Sequence, residues 1–465
     1  MESWFDHLFL SRLQFALTTG FHIIWPLLSI GLSIFLVWLE ALWLKTGDVS
    51  YYHHCRFWSR LFLLNFAVGV ASGVPLEFQF GTNWARFSAA TGGFFGNILG
   101  FEGTMAFMLE AAFLGIMLFG WRRVSRGLHF FATCMVALGA SLSAFWIMVA
   151  NSWMQTPAGG SFIDGRYQVT DYWQAIFNPD MPWGVTHMWV ACLETTLFVV
   201  GGISAWYLWK KRHPAFFTKS FKMAFCAAIL IAPLQVWLGD ISGRAVAVTQ
   251  PTKLAAMEAH WRTNPPGQGA PWKPLAWPNA AKQNNDWALE VPCGLSLLLT
   301  RSLTGRVQGL RDFPREDQPP VLIPFYSFRI MIAVGFFLAF LMLWTLWAWR
   351  RGRLAPEILP SQKRLLGAWI AAAPLGYAAV ETGWITREVG RQPWVIYGLL
   401  RTAAATSPLP VGTVAVSLVA YLAIYTLLFL VFLVFARRLI LKGPDLAAAP
   451  PARAGSPGPL QAGGN

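Results

Sequence analysis

The sequence predicts an all-α integral membrane protein, and its composition and the length of its apolar stretches carry this prediction. Of the 465 residues, 55% are apolar and only 12% are charged, and the mean hydropathy is +0.46. Soluble globular domains contain about 25% charged residues. Several apolar stretches reach the roughly 20 residues that a helix needs to cross about 30 Å of hydrocarbon. Water-soluble enzymes, fibrous repeats and disordered chains are therefore disfavoured.

Hydropathy predicts nine transmembrane helices, so the two termini should lie on opposite sides of the membrane. Short loops after the odd-numbered spans hold most of the Lys and Arg residues, which predicts a periplasmic N-terminus and a cytoplasmic C-terminus. This distribution accounts for the net charge of +14 without a nucleic-acid partner. The predicted spans are approximately 15–43, 57–80, 97–120, 128–150, 184–208, 217–239, 324–348, 366–386 and 413–436.

These spans divide the chain into four segments. Residues 1–239 contain spans one to six, and residues 324–442 contain spans seven to nine. The segment 240–323 is rich in Pro, Gly, Trp and Asn, and it is predicted to be a periplasmic loop. Loops of this length are usually functional, so this one is a candidate substrate-binding lid. Residues 443–465, rich in Ala, Pro and Gly, are predicted to form a disordered cytoplasmic tail.

Ionisable side chains inside the predicted spans are the strongest indication of function. Each costs at least about 2.5–3.5 kcal/mol at a helix centre on insertion scales, so such residues usually face a protein interior and act there. A structural salt bridge could explain any one of them, but it explains the whole set poorly. The residues are Glu77, Glu102, Glu110, Glu194, Arg329 and Glu381.

Five potential ligand residues fall toward the outer ends of their spans: His22, Glu102, His187, Met331 and Glu381. Haem iron accepts axial His, Met or anionic oxygen ligands, and the porphyrin needs an apolar pocket with cationic partners for its propionates. A His and a Met would fill both axial positions and leave the iron low-spin. A His or Glu facing an open position would suit dioxygen. Taken singly, a buried His or Met is more often a packing residue, so this assignment needs further support.

Several long motifs between residues 8 and 440 resemble subunit I of the cytochrome bd-type quinol oxidases. A chance match of this number of motifs is not plausible. The motifs are SRLQFALT at 11–18, NFAVGVASG and EFQFGTNW at 65–84, EGTMAFMLE at 102–110, LSAFWIMVANSWMQTP at 142–157, TKLAAMEAHW at 252–261, FRIMIAVGF at 328–336 and GRQPW at 390–394.

The resemblance implies three haems and their axial ligands. It implies that His187 and Met331 hold a low-spin haem b. It further implies that His22 and Glu381 hold two high-spin haems, a haem b and a haem d, and which residue belongs to which haem stays open. Glu102 would face the haem that reduces oxygen.

The resemblance also implies proton-transfer, quinol-binding and haem-contacting residues. Glu110 matches a carboxylate of a proton pathway, and Lys253 and Glu258 match residues associated with quinol. Arg329 and Arg391 match positions near the haems, where a fixed cation would stabilise propionates or reduced iron.

The short loop 240–323 resembles a branch of the family that includes cyanide-insensitive oxidases. Some members of this branch carry a further haem b in place of haem d, so both cofactors remain candidates. Glu194 has no counterpart that the resemblance identifies. The expected partners are a second membrane subunit (subunit II), small single-span subunits, quinol, dioxygen and the lipid bilayer of a bacterial inner membrane.

The predicted function is that of a terminal oxidase, which oxidises quinol at the periplasmic side and reduces dioxygen to water with cytoplasmic protons. It would generate proton motive force without pumping. One alternative is a proton-coupled secondary transporter, but the sequence lacks the repeats and matching broken helices of that class. Another is a structural haem subunit whose chemistry occurs elsewhere.

Overall fold

The computed structural model describes residues 6–451; residues 1–5 and 452–465 lie outside the described part of the chain. Nine helices in the described part are long and apolar enough to cross a membrane, as predicted. They are α1 His7–Thr46, α2 Val49–Gly81, α3 Ala85–Arg122, α4 Arg126–Gln155, α5 Met181–Trp209, α6 Pro214–Thr249, α7 Leu322–Arg350, α8 Lys363–Val389 and α9 Val411–Lys442.

The observed helices extend beyond their apolar windows. Helix α6 was predicted to end at 239 but continues to Thr249, and Asp240 and Arg244 form an ion pair of 3.2 Å on its last turns. Hydropathy detects only the part of a helix that needs an apolar solvent. The polar turns beyond it stay helical because their backbone groups hydrogen-bond within the helix. The loop after span six therefore begins at about residue 250.

Two of the nine helices are interrupted, which hydropathy could not show. Helix α3 contains two π-helical segments, Gly92–Gly96 and Glu102–Phe107. Helix α8 breaks between Ala372 and Leu375 at Pro374, because a proline has no backbone N–H to donate and its ring clashes with the preceding turn. Short π segments occur frequently at functional sites, and Glu102 begins one of them.

Three short antiparallel hairpins show that the all-α prediction is incomplete. They are β1–β2 (Gly160–Ile163, Arg166–Val169), β3–β4 (Trp272–Asn279, Asn284–Val291) and β5–β6 (Trp394–Ile396, Leu400–Arg401). All three lie in loops, where frequent Pro and Gly obscure the alternation of apolar and polar residues that would predict a strand.

Loops 156–180, 250–321 and 390–410 meet at one end of the bundle, and we call them the loop layer. The Arg401 guanidinium pairs with the Asp317 carboxylate at 2.5 Å, and the Gln250 side chain donates to the Gln155 carbonyl. The segment 250–321 contains the short helices Pro251–Met257 and Gly294–Thr300 as well as β3–β4. It is thus a folded structure rather than an extended loop.

The opposite end of the bundle, which we call the tail end, carries the C-terminal segment. Residues 443–451 contain no helix or strand, yet the His53 ring lies 3.1 Å from the Ala448 carbonyl oxygen, and the Tyr52 hydroxyl donates to the Ala449 carbonyl. The rest of the predicted tail, residues 452–465, lies outside the described residues.

A buried hydrogen-bonded group between α1 and α4 strengthens the tail end. The Glu40 carboxylate lies 2.7 Å from His129 Nδ1 and accepts a hydrogen bond of 2.6 Å from the Thr133 hydroxyl. His129 Nε2 lies 3.1 Å from the Met117 carbonyl oxygen of α3. Each polar atom of this group has a partner, as buried polar groups require. The sequence analysis did not single out Glu40, and we interpret the pair as structural.

Helices α5 and α8 approach closely because α5 has two adjacent glycines at their contact. A Cβ on Gly202 would lie 2.6 Å from the Ala373 Cβ and 2.9 Å from the Trp369 carbonyl oxygen. Trp369 is fully buried, and its indole N–H donates to the Thr345 hydroxyl at 3.0 Å. Small residues allow helix backbones to approach in this way inside membranes.

We expect Gly202→Ala to destabilise the protein, because neither the Ala373 methyl group nor the Trp369 backbone can move without shifting α8. Overpacking of this kind costs about 1–3 kcal/mol. A thermal unfolding midpoint measured on the purified complex in detergent should fall. The matched control is Gly335→Ala in α7, where an added Cβ would meet nothing within 4 Å. Equal midpoints for the two variants would show that the contact is looser than described.

Candidate functional site

His22 of α1 is fixed by helix α2. Its Nδ1 atom lies 3.0 Å from the Ser72 hydroxyl oxygen, and this hydroxyl donates to the Gly69 carbonyl at 3.0 Å. The next residue, Gly73, leaves room for the imidazole, since a Cβ there would lie 3.1 Å from His22 Cε1. With the Ser72 hydroxyl donating to Gly69, Nδ1 is the nitrogen that donates to this hydroxyl. Nε2 is then the nitrogen with a free lone pair for a metal.

His187 of α5 faces helix α6. Its Nε2 atom lies 3.4 Å from Gln235 Nε2, and its buried Nδ1 atom has no hydrogen-bond partner among residues 6–451. One turn further along α6, a Cβ on Gly239 would lie 3.5 Å from His187 Cε1, and a Cβ on Gly243 would meet nothing within 4 Å. Gly239 therefore leaves room for the imidazole against α6.

Helix α8 separates two of the predicted ligands. A Cβ on Gly20 of α1 would lie 3.3 Å from Glu381 Oε2, so Glu381 of α8 reaches toward α1. A Cβ on Gly383 would lie 2.9 Å from the Met331 sulfur, so Gly383, two residues after Glu381 on α8, faces α7. Positions two apart on a helix point in roughly opposite directions. The Glu381 and Met331 side chains therefore lie on opposite sides of α8.

Glu102 and Glu110 of α3 both face helix α4. Glu102 Oε1 accepts a hydrogen bond of 2.7 Å from the Ser143 hydroxyl. A Cβ on Gly139, one turn earlier in α4, would lie 3.0 Å from Glu110 Cβ. Glu110 is buried, and its Oε1 atom has no hydrogen-bond partner in the described part of the chain. The two carboxyl groups thus follow each other along one face of α4.

Lys253 lies in a buried polar network of the loop layer. Its ammonium group donates to the Gln155 side-chain oxygen, and the Gln155 amide donates to Glu388 Oε1 at 3.1 Å. Glu388 also pairs with Arg391. Burial lowers the pKa of Lys253 well below its ordinary value, and the nearby Arg387 and Arg391 guanidinium groups lower it further.

Glu258 belongs to a second group of charges, although it follows Lys253 closely in sequence. Its carboxylate accepts a hydrogen bond of 2.6 Å from Arg329, whose guanidinium also donates to the Lys273 carbonyl at 2.9 and 3.0 Å. Burial raises the pKa of Glu258 above its ordinary value, in opposition to Arg329. A buried carboxyl group with a raised pKa is well suited to accept and release protons.

The structure therefore assigns Lys253 and Glu258 different partners. Neither Gln155 nor Lys273 was singled out from the sequence. Gln155 lies within the quoted motif LSAFWIMVANSWMQTP. Its position, an amide side chain at the outer end of a span, could therefore have indicated a functional residue. Lys273 has no sequence signal, because only the fold of β3 buries it.

Two other acidic residues have contrasting surroundings. Glu194 of α5 is buried, and its Oε1 atom has no hydrogen-bond partner among the described residues. Glu77 of α2 is exposed, as is the adjacent Phe78. An exposed carboxyl group inside a membrane span requires cover by protein or water.

The unpaired buried polar atoms fit haem groups. They include His187 Nδ1, Glu381 Oε1, Arg329 Nη1, and Arg391 Nε and Nη1. Most buried polar groups in proteins have partners, so these atoms are free to bind a group that the chain itself does not supply. Imidazole, thioether and carboxylate groups are haem-iron ligands, and guanidinium groups bind carboxylates such as propionates. Among residues 6–451 no three His, Cys, Asp or Glu side chains form a cluster for a directly bound metal ion, and axial ligation of a haem needs none.

The chain is similar to known proteins over nearly its whole length. Residues 10–444 match the family described as cytochrome bd terminal oxidase subunit I. Cytochrome bd ubiquinol oxidase subunit 1 of Bacillus subtilis (strain 168) is 36% identical, with 95% of each chain covered. Cytochrome bd-II ubiquinol oxidase subunit 1 of Escherichia coli (strain K12) is 34% identical, with 95% of this chain and 97% of that protein covered.

A solved structure agrees with this similarity. The bd oxidase from Geobacillus thermodenitrificans matches with a TM-score of 0.85 and 32% identity, over 95% of this chain and 99% of that chain. The family match disfavours the alternative of a secondary transporter. This chain belongs to the cytochrome bd terminal oxidase subunit I family.

Proposed function

We propose that this chain is the haem- and quinol-binding subunit of a terminal oxidase that oxidises quinol and reduces dioxygen to water. The observation that carries the proposal is the arrangement of His22, His187, Met331 and Glu381 on four helices of one bundle, in a chain of this family. Two quinols supply the four electrons that one dioxygen needs to form two water molecules.

His187 and Met331 are proposed as axial ligands of a low-spin haem b. His22 and Glu381 are proposed as ligands of two high-spin haems, one haem b and one haem d or further haem b. Bound haem supplies one-electron transfer and, where an axial position is open, dioxygen reduction. The absence of a Cβ at Gly239 and at Gly383 lets the His187 ring and the Met331 sulfur lie close to the neighbouring helices.

Arg329 and Arg391 are proposed to bind haem propionates through their unpartnered guanidinium nitrogens. Both side chains are buried, and burial lowers the pKa of Arg391. Each guanidinium already pairs with one carboxylate, Glu258 or Glu388, and has further N–H groups that can donate to another anion. A propionate would supply that anion.

Quinol oxidation is proposed to occur in the segment 240–323. Removal of two electrons from quinol also releases two protons, and the Glu258 carboxylate is placed to accept one. Lys253 is proposed to position the quinol oxygen from the neighbouring network. Its amino group donates to Gln155 and has further N–H groups that can donate to a quinol oxygen.

The protons consumed with dioxygen are proposed to travel along α4 through Glu110 and Glu102. A relay of ionisable groups is the usual means of carrying protons through a low-dielectric interior. Gly139 and Ser143 mark successive turns of α4 beside the two carboxyl groups. Glu110 Oε1 has no hydrogen-bond partner among the described residues, so it can still exchange a proton with another group of the relay.

The charge distribution supports a periplasmic loop layer and a cytoplasmic C-terminus. The basic segments 210–212, 350–353, 363–364 and 437–442 lie away from the loop layer, at the tail end. Positive residues in short loops stay in the cytoplasm. Quinol protons would then leave outside while oxygen reduction consumes protons from inside, which charges a bacterial inner membrane without pumping.

The outer surface around Glu77 is the proposed contact with subunit II. Glu77 and its neighbours Val74 and Phe78 are exposed, and α3 beside them is also largely uncovered. Burial under a second membrane protein would remove the carboxyl group from lipid. Small single-span subunits are proposed as further partners.

Replacing Met331 with Leu should abolish the six-coordinate low-spin haem signal, because Leu has no ligand atom. The measurement is a reduced-minus-oxidised absorption spectrum of the purified complex, with the haem content determined separately. Met342→Leu, a buried methionine of the same helix, is the control and should leave the spectrum unchanged. A wild-type spectrum for Met331→Leu would remove Met331 from the ligand set.

Replacing Glu258 with Gln should lower kcat/KM for quinol by about 10²-fold or more, the usual worth of a general base. Burial raises the pKa of Glu258, so the wild-type rate should rise with pH through a value above the ordinary Glu pKa of about 4.3. The variant should lose this rise in rate with pH, the ascending limb of the pH–rate profile. Glu290→Gln alters an exposed carboxylate on β4 and should keep the limb. Retention of the limb in Glu258→Gln would assign it to another group.

Replacing Glu110 with Ala should slow turnover by about 10²-fold, because the proton relay along α4 is interrupted. Oxygen consumption and the haem spectrum should be measured together, and the spectrum should stay unchanged. Glu194→Gln, also buried, tests whether any buried carboxyl group in the bundle has this effect. Full turnover in Glu110→Ala would exclude Glu110 from the route.

A further inference from the structure

The β3–β4 hairpin presents bulky apolar side chains outward. Leu275 pairs with Leu289 and Trp277 pairs with Trp287 across the strands. These four residues, which we call the hairpin face, are 50%, 51%, 58% and 57% exposed, respectively. The small residues Ala276 and Ala288 point to the opposite side and pack in an apolar cluster with α7. In water, an antiparallel hairpin normally turns its large apolar residues inward.

The hairpin face continues the exposed surface of helix α7. The Tyr326 hydroxyl donates to the Ala276 carbonyl at 2.7 Å, and the Trp277 and Tyr326 rings meet edge to face with centroids 6.4 Å apart. Tyr326 lies between Ile323 and Ile330 at helical spacing, and both isoleucines are about half exposed. Helix α7 has the length and hydropathy of a membrane span, so this surface is expected to contact lipid.

The turn of the hairpin is held in polar surroundings. Arg311 Nε donates to the Gln283 carbonyl at 3.0 Å, and Arg315 donates to the Ala281 carbonyl at 2.8 Å. The Lys282 ammonium group pairs with Asp286 at 3.1 Å, with both side chains exposed. These charges prevent the hairpin from entering the hydrocarbon by its tip. An orientation along the membrane surface would keep these charges in water.

We propose that the hairpin face is seated in the lipid interface on the side of the loop layer, as a second membrane attachment of segment 250–321. The occupant of this face is the bilayer itself. Trp side chains prefer the headgroup level, where their amphipathic rings are partly solvated. Apolar residues beside them add to membrane binding in proportion to the area they bury.

A consequence, which rests on the proposed function, concerns how quinol arrives. Lys273 follows the first residue of β3, and a register shift between Trp272 and Leu275 lets this lysine lie buried beside the Glu258–Arg329 pair. The hairpin therefore carries the charged group on one side and the hairpin face on the other. Lipid-soluble quinol can reach Glu258 sideways from the interface without crossing water.

The seating is tested with an environment-sensitive fluorophore on single cysteines in the purified complex in lipid nanodiscs. The labels are placed by Trp287→Cys on the hairpin face and by Lys282→Cys at the turn as the matched control. Accessible native cysteines Cys134, Cys226 and Cys293 are first replaced by Ala. The label at 287 should be quenched several-fold more by spin-labelled phospholipid than by iodide, and the label at 282 should show the reverse. Quenching at 287 mainly by iodide, or by neither quencher because a protein covers the face, would overturn the proposal.

The access route is tested separately by kinetics. Trp277→Ser combined with Trp287→Ser should raise KM several-fold for a long-chain quinol in nanodiscs and leave KM for a short-chain, water-soluble quinol unchanged. An equal effect on both quinols would overturn the access route while the labelling result stands. A complete loss of activity with both quinols would instead indicate that the two substitutions damage the oxidation site. The haem spectrum and the Glu258→Gln variant test the state of that site independently.

Discussion

A polar atom buried in a membrane-spanning bundle needs a partner, and this requirement determines how the protein is arranged. Glu40 meets it within the chain, through His129 and Thr133. His187 and Glu381 do not meet it within the described residues. The first arrangement holds helices together, and we propose that His187 and Glu381 bind haem instead. From the sequence alone, the two kinds of side chain cannot be distinguished, because both are ionisable residues in apolar spans.

Helix α8 connects the proposed haem sites to one another. It directs Glu381 toward α1 and opens Gly383 toward Met331 on α7, so a single helix forms part of two sites. Its last turns carry Arg387 and Glu388 into the network around Lys253. The break at Pro374 lies well before these residues, and the segment Leu375–Val389 is a regular helix. A rigid helix can hold two metal centres at a fixed separation, which electron transfer between them requires.

Much of this architecture could be predicted from the sequence, because hydropathy depends on residues that are close together in the chain. The nine spans follow from it, and the motifs around His22 and Met331 indicate the family. The hairpins and the extension of α6 to Thr249 were missed, since polar helical turns and Pro-rich strands carry no hydropathy signal. The separate partners of Lys253 and Glu258 were also missed, because they depend on contacts with distant residues such as Gln155 and Arg329.

The central proposal is that His187 and Met331 would together hold the iron of one low-spin haem. The most direct measurement is an experimental density map of the purified complex at a resolution that shows the haems. The account predicts one haem whose iron is bonded to the His187 imidazole on one side and to the Met331 sulfur on the other. A map in which either side chain faces lipid, or in which the two approach different irons, would contradict it.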